Sequence, residues 1–459
     1  MSRRNPIRRG AIGRSLAVSV AGLRAGGAFA LGSAIGKLRG EEGATEEVLR
    51  REARRFTAEL GKLKGTYVKI GQLFALMGEH FLPAPLTEAL HDLESQTHPV
   101  PWSELEPSVK DALGSRFNAL AIDEESLAAA SLAQVHRATA SDIPEDLVLK
   151  MQYPDLAAVI DDDFDAVVRM LKLARWIPAG RDLDNWLEEM RTQLHHEIDY
   201  QRERSMTVAA AERLAAHGEI GHRYRVPRVH EKYCADTVLA LDYIEGHRVT
   251  ETAVSTLSQA RRNRLGAAML ELFFLELFEW GVLQTDPNFG NYLIEIDAEG
   301  DRLVLLDFGS TIECSEDFRG HFADAITAGQ LRDKDLLIRS LEGLGCLRPG
   351  ATEFARESFA EFCQMMLEPL RAPDQLPEEY LNEDGLYCWG RSRLMQRVGK
   401  FAASSAATQH FATPSGDFAL IVRKLAGVFT FITVLDAEFN GHAIAQKYME
   451  AWVDKRLSA

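Results

Sequence analysis

The chain has 459 residues, and 52 Lys and Arg against 68 Asp and Glu leave a formal net charge of −16, which excludes nucleic acid as a general partner. That length is enough for two or three domains, and 46% hydrophobic against 26% charged residues describes a soluble globular protein. Five scattered cysteines with no CxxC pair exclude a zinc or disulfide framework and point to a reducing compartment.

The N-terminus departs from this average. Residues 1–40 carry eight basic residues (Arg3, Arg4, Arg8, Arg9, Arg14, Arg24, Lys37, Arg39) and no acid. Ser15 to Ile35 has the length of a membrane span, but Arg24 interrupts it and its glycines weaken a helix. Residues 1–44 therefore read as a basic, glycine- and alanine-rich segment that associates with an anionic lipid surface. The same Arg-rich, acid-free character fits an organelle transit peptide, an alternative left open.

Glu46 to Leu60 favours helix, and Lys62 to Met77 carries apolar residues at helical period. Pro83, Pro85, Pro99 and Pro101 then punctuate short helices, so residues 45–115 form a helical extension. From Phe117 the pattern turns to strands. Ala128 to Ala138 reads as strand, turn, strand; Leu147 to Met151 and Val238 to Ile244 are further strands. Trp186 to Arg204 reads as one long charged helix. Residues 116–245 make a strand-rich domain and residues 246–459 a mostly helical one, two lobes with a cleft between them. In the helical part, Ala267 to Leu283 contains Glu271, Glu276 and Glu279, so it reads as a buried amphipathic helix. Ile421 to Phe439 is broken by Arg423, Lys424, Asp436 and Glu438, and so does not span a membrane.

One constellation carries chemistry. Gln284-Thr-Asp-Pro-Asn-Phe-Gly-Asn291 precedes the apolar run Tyr292-Leu-Ile, a turn at Glu299-Gly300, and the run Leu303-Val-Leu-Leu306 that ends in Asp307-Phe-Gly309. A hairpin there would gather Asp286, Asn291 and Asp307 at one end. Phosphoryl transfer needs that group: an Asp near the attacking oxygen, and an Asn and an Asp holding Mg²⁺ against phosphates. Each piece alone is ordinary turn chemistry; the ordered set with strands between is not.

A nucleotide half should accompany it. Lys150, on the strand Leu147-Val-Leu-Lys150, fits the lysine that pairs the α/β-phosphates. Its partner should lie on the helix over 186–204, where Glu197, Asp199 and Glu203 are candidates and Asp199 and Glu203 share a face. The phosphate-covering turn is Ala128-Ala129-Ala130-Ser131. Alanine adds little bulk but does not visit positive φ as glycine does, so this loop should be stiffer than a glycine-rich one.

These residues, together with Lys69-Ile-Gly-Gln72 and Ala133-Gln-Val-His136, resemble the UbiB/ABC1 atypical kinases, the AarF-domain family, over nearly the whole chain from about residue 45. The form of Gln284 to Asn288 is similar to the branch that holds the coenzyme Q biosynthesis kinases and their bacterial relatives. The resemblance implies an α+β, bilobal protein kinase-like fold with a helical extension covering the active site. It implies Asp286, Lys150 and Glu203 as catalytic residues and Asn291 and Asp307 as Mg²⁺ ligands. It places Ala128, Ala129, Ala130, Ser131, Gln134, Lys150, Tyr243 and Ile244 beside ATP, and Lys69, Gln72, Glu197 and Asp199 in a regulatory cover where the lysine approaches the two acids. The implied activity is Mg²⁺-dependent ATP hydrolysis or phosphotransfer supporting ubiquinone biosynthesis. Quinone precursors or other proteins of that pathway are the implied partners, and a homodimer is open. The implied place is peripheral on the inner membrane, cytoplasmic in a bacterium or on the matrix side in a mitochondrion. A protein kinase acting on partner proteins and a nucleotide-gated scaffold without catalysis remain alternatives.

Overall fold

A computed structural model describes residues 42–458 apart from 64, 78–81, 92–98, 175, 178–180, 219, 299, 348–349 and 407–415. The basic segment over residues 1–40 and Glu299 of the expected turn lie outside the described residues. The chain divides into two compact units: the described residues of Met1–Ser205 with Arg228–Tyr243, and Met206–Pro227 with the described residues of Ile244–Ala459.

The first unit has a helical part and a sheet. Helices α1 (Glu42–Leu63), α2 (Thr66–Met77) and α3 (Ala84–His91) open it, and α4 (Trp102–Leu113) follows the prolines. Strands β1 (Leu120–Ile122), β2 (Ala128–Ala129), β3 (Ala133–Ala140) and β4 (Ile143–Gln152) come next, then helices α5 (Leu156–Leu173) and α6 (Arg181–His196), and α7 (Tyr200–Ala216), which belongs to this unit as far as Ser205 and to the second from Met206. Short β5 (Tyr224–Arg225), which belongs to the second unit, precedes β6 (Val238–Asp242). The sheet is antiparallel in the order β1-β3-β4-β6, with β2 paired to β3. Period-2 alternation sets its faces. Leu147, Leu149 and Met151 of β4 are fully buried, in one cluster with Leu105 and Val109 of α4, and Lys150 between them points to the other face. A second cluster joins α1, α2, α3, α5 and α6 through Phe56, Phe74, Phe164 and Trp186.

The long helix expected over 186–204 is two helices. The amides of Ile198 and Asp199 bond back only three residues, to His195 and His196, a tightening that ends α6. Asp199 then caps α7, its Oδ1 accepting from the Arg202 amide at 2.9 Å. Aspartate competes for backbone donors in this way and restarts a helix where the pattern alone would run through.

The second unit is mainly helical. After the short α8 (Thr252–Ser255), helix α9 (Gln259–Phe274) is buried along most of its length and its last turn widens to a π-turn over Leu275–Trp280. Gly281 leaves that turn at φ 65°, a conformation open to glycine, and the chain enters β7 (Val282–Gln284). The helix expected over Ala267 to Leu283 thus ends early, in a strand. Strands β8 (Tyr292–Glu295) and β9 (Arg302–Leu305) form the expected hairpin, with β5 parallel to β9, while β10 (Thr311–Glu313) pairs β7. Helices α10 (Glu316–Leu331), α11 (Lys334–Gly343), α12 (Glu353–Met366), α13 (Trp389–Ser392), α14 (Leu394–Ala406), α15 (Gly416–Val434) and α16 (His442–Ser458) complete the unit. Ser315, Asp333 and Thr352 cap α10, α11 and α12 with side-chain oxygens. Among the described residues no helix is long and apolar enough to cross a membrane. Helix α15 instead buries Ile421, Leu425 and Phe429 in the core of this unit.

Candidate active site

In the second unit, the register Tyr292↔Leu305 and the bond from the Leu306 amide to the Asn291 carbonyl at 3.0 Å bring the loop over 285–291 beside the start of Asp307-Phe-Gly309. A second tie joins the Thr285 amide to the Ser310 carbonyl at 2.8 Å. Asp286 organises its own loop: Oδ1 accepts from the Asn288 amide at 3.2 Å, and Oδ2 accepts from Asn291 Nδ2 at 2.9 Å. Arg423 lies 3.5 Å from Asp286 Oδ1. Asp307 Oδ1 accepts from the Gly309 amide at 2.8 Å, and Phe308 is anchored in the core.

The donor set fits Mg²⁺ shared with phosphates. The Asn291 amide gives its NH₂ to Asp286, which would leave Oδ1 as a hard oxygen donor for a cation, and Asp307 would supply a carboxylate. Among the described residues no three His, Cys, Asp or Glu side chains converge as a self-sufficient metal cage. Two oxygen ligands with the remainder drawn from substrate phosphates and water are the usual protein share for Mg²⁺.

Beneath this loop lies a buried polar cluster. Lys424 of α15 is 1% exposed and donates to Gln284 Oε1 at 2.6 Å and to the Tyr292 hydroxyl. That hydroxyl donates to Gln284 Oε1 at 3.0 Å. The buried Glu276 of the π-turn accepts from the Gln284 amide at 3.3 Å. Burial pushes the Glu276 carboxyl up to about 7, against the opposing pull of Lys424 and of the Gln284 amide. The native state then holds a proton that the unfolded chain has already released, so this group lowers stability progressively as pH rises from about 5 to about 7. Glu276→Gln is expected to flatten the fall in melting temperature across that window, read by thermal denaturation at several pH values; an unchanged slope would place the dependence elsewhere. In the sequence, Arg423 and Lys424 register only as breaks in an apolar run and Glu276 as a mark of amphipathicity. The available signal is that charges on the buried face of an otherwise apolar helix need partners.

In the first unit, Lys150 stands on β4 between Val135 of β3 and Leu239 of β6. It donates to Glu203 Oε1 at 2.6 Å and lies over the Tyr200 ring. Glu203 is 2% exposed. Of the three acids considered, the structure brings Glu203 to Lys150. Glu197 meets Lys69 at 2.6 Å, with the two side chains 23% and 17% exposed, and Asp199 is exposed and caps α7. Gln72 is half-buried on α2, three residues after Lys69.

The alanine turn is a tight hairpin. Ala128 and Ala129 pair with Val135 and Gln134, and the Ala130 amide bonds the Ala133 carbonyl at 2.8 Å. No residue of it has positive φ, so alanine is conformationally at ease there. Gln134 is not presented to a ligand as expected. It is fully buried, its amide paired with both the N–H and C=O of Val100 and with the His136 ring. The strand's alternation turns it inward, and its amide completes backbone bonds that the entry to α4 would otherwise lack. Tyr243 carries Arg137 over its ring at 4.3 Å; Ile244 is buried and falls in the second unit.

The ABC1 atypical kinase-like domain matches residues 92–341, more than half of the chain. The chain is 26% identical over 418 residues to the mitochondrial atypical kinase COQ8B of Rattus norvegicus, covering 90% of this chain and 75% of that one. It is 28% identical over 321 residues to the mitochondrial atypical kinase COQ8 of Saccharomyces cerevisiae, covering 69% of this chain and 62% of that one, so it spans less than two thirds of the yeast protein. Among solved structures, the complex of Rv3197 with erythromycin from Mycobacterium tuberculosis resembles it with a TM-score of 0.59 at 24% identity, over 88% of this chain and 97% of that one, a likeness of fold. With Lys150 paired to a helix glutamate and Asp286, Asn291 and Asp307 on adjoining loops, the fold is kinase-like and the chain belongs to the ABC1 atypical kinase-like family.

Proposed function

We propose that this protein binds Mg-ATP, transfers its terminal phosphoryl group to water or a small acceptor, and supports coenzyme Q biosynthesis at an anionic membrane surface. The observation that carries the reading is the Asp286–Asn291 hydrogen bond at 2.9 Å. It orients an aspartate and an amide oxygen together on a loop tied to Asp307. Mg²⁺ would be held by Asn291 and Asp307 and would neutralise charge on the phosphates. Lys150, oriented by Glu203, would pair the phosphates nearer the nucleoside. Asp286 would orient the attacking oxygen and accept its proton. The names of the rat and yeast relatives support the pathway. Helix α10 begins at Glu316, soon after Gly309, which leaves little room for a long activation segment and favours this reading over a protein kinase.

The test is phosphate release from Mg-ATP by the full chain, with and without cardiolipin-containing vesicles, beside Asp286→Asn. Release that vanishes in the variant supports the reading. Intact Mg-nucleotide binding with no release under any condition would replace it with a nucleotide-gated scaffold.

The Lys69–Glu197 pair is the proposed latch of the helical extension. A partly buried pair of this kind is worth about 1 kcal/mol, so if it restrains the nucleotide-competent state, Lys69→Ala should raise Mg-ADP affinity about fivefold. Titration calorimetry reads this directly, and affinity equal to the parent's would rule out the latch.

A further inference from the structure

Helix α15 lies beyond residue 341, where the family match ends, yet one of its faces meets the loop from Gln284 to Tyr292 at both stems and at Asp286, Pro287 and Phe289. Arg423, Lys424, Gly427 and Phe431 recur at helical spacing. Lys424 Nζ bonds Gln284, the last residue of β7, and Tyr292, the first of β8, and so ties the two stems of the loop together. At mid-loop, a Cβ added at Gly427 would overlap the Pro287 ring, so only glycine lets the loop sit this close to the helix. Further along, the Phe431 ring meets Phe289 at 5.6 Å and Tyr292 at 5.9 Å, both edge-on. Arg423 reaches the Asp286 carboxylate itself.

We propose that helix α15 is the positioning element of the phosphoryl-transfer loop, with Lys424 as the clamp on its stems and Gly427 as the seat for Pro287. The inference rests on the reading of this loop as the catalytic one. Stability alone does not account for the clamp. A fully buried ammonium is costly to desolvate, and apolar replacements of buried charges are often neutral or stabilising. What the cation supplies is direction. Gln284 Oε1 faces Lys424 because a carbonyl, not an NH₂, meets a cation. The Tyr292 hydroxyl accepts from Lys424 and so gives its one proton to Gln284. The acceptor role of Gln284 Oε1 and the donor role of the Tyr292 hydroxyl are therefore fixed, while Gln284 Nε2 is buried without a hydrogen-bond partner.

The test compares Lys424→Met, Lys424→Met/Glu276→Gln and Gly427→Ala with the parent full-length chain. The double variant leaves no buried charge unpaired and guards against a folding defect. Turnover is normalised to the Mg-ADP binding stoichiometry from calorimetry, so unfolded protein does not count. The expected result is a kcat at least about tenfold lower in all three, with Mg-ADP affinity within about twofold of the parent and a melting temperature of the double variant at or above it. Amide exchange of the peptide over 284–292 should also rise about tenfold while exchange in α9 is unchanged. A normalised kcat within about twofold of the parent in the double variant, or a loss of nucleotide affinity in step with kcat, would overturn the proposal. If the parent releases no phosphate at all, the functional reading fails. The exchange measurement then decides the clamp by itself, since faster exchange over 284–292 supports it and unchanged exchange overturns it.

Discussion

Asp307→Asn is expected to reduce ATP turnover by on the order of a thousandfold while leaving the fold intact. Asp307 follows β9 closely, and its Oδ1 accepts from the Gly309 amide at 2.8 Å. An asparagine oxygen takes the same bond in the same place. Phe308, which seats the loop in the core at 4% exposure, is untouched. The change therefore removes one negative charge while keeping this bond. A bound Mg²⁺ supplies several kcal/mol of charge stabilisation to the transferring phosphoryl group, and each factor of ten in rate is about 1.4 kcal/mol. The stabilisation of the fold by Mg-ADP over ADP with chelator should shrink in parallel, because one of two proposed protein ligands is weakened. Phosphate release and a thermal-shift series read the two effects. Full turnover by the variant would show that Asp307 does not carry the metal.

The parts of the site that are local in sequence were legible. Two apolar runs and a turn predict the hairpin, and the hairpin places Asn291 and Asp307 at one end; both follow from period-2 patterning and chain continuity. Lys150 was legible for the same reason, as one cation on an apolar strand. The residue pattern left its partner open among Glu197, Asp199 and Glu203, and only the family resemblance singled out Glu203, because a helix from 186 to 204 would carry the three on known faces and the break at Ile198 changes those faces. That break depends on a side-chain cap outcompeting helix continuation, a balance of about 1 kcal/mol, and pattern counting does not resolve it. Gln134 was misplaced because its partner, the backbone of Val100, lies 34 residues away. The Lys424 cluster is the extreme case, joining residues 276, 284, 292 and 424 from four elements. Such contacts arise only when the core closes, and sequence signals them solely as buried charge that must be answered.

Lys150→Met is expected to destabilise the first unit by about 3 kcal/mol or more, well beyond the effect of losing a surface ion pair. Glu203 is 2% exposed and its side chain meets Lys150 at 2.6 Å. Removing the ammonium takes the cation at 2.6 Å away from a buried carboxylate and puts an apolar thioether beside it, and the cost is dominated by the buried charge that loses this counter-ion. The position on β4 sharpens the case. Leu147, Leu149 and Met151 face the core, so the substitution changes only the opposite face and keeps the strand's packing. The double variant Lys150→Met/Glu203→Gln should recover most of the stability, since a neutral amide in place of the carboxylate removes the stranded charge. It should not recover nucleotide affinity, because the cation proposed to pair the phosphates is still missing. Chemical denaturation and calorimetric titration with Mg-ADP separate the two quantities. Recovery of both would make the pair a structural ion pair without a nucleotide role. Recovery of neither would mean that the strand, and not the charge, had been damaged.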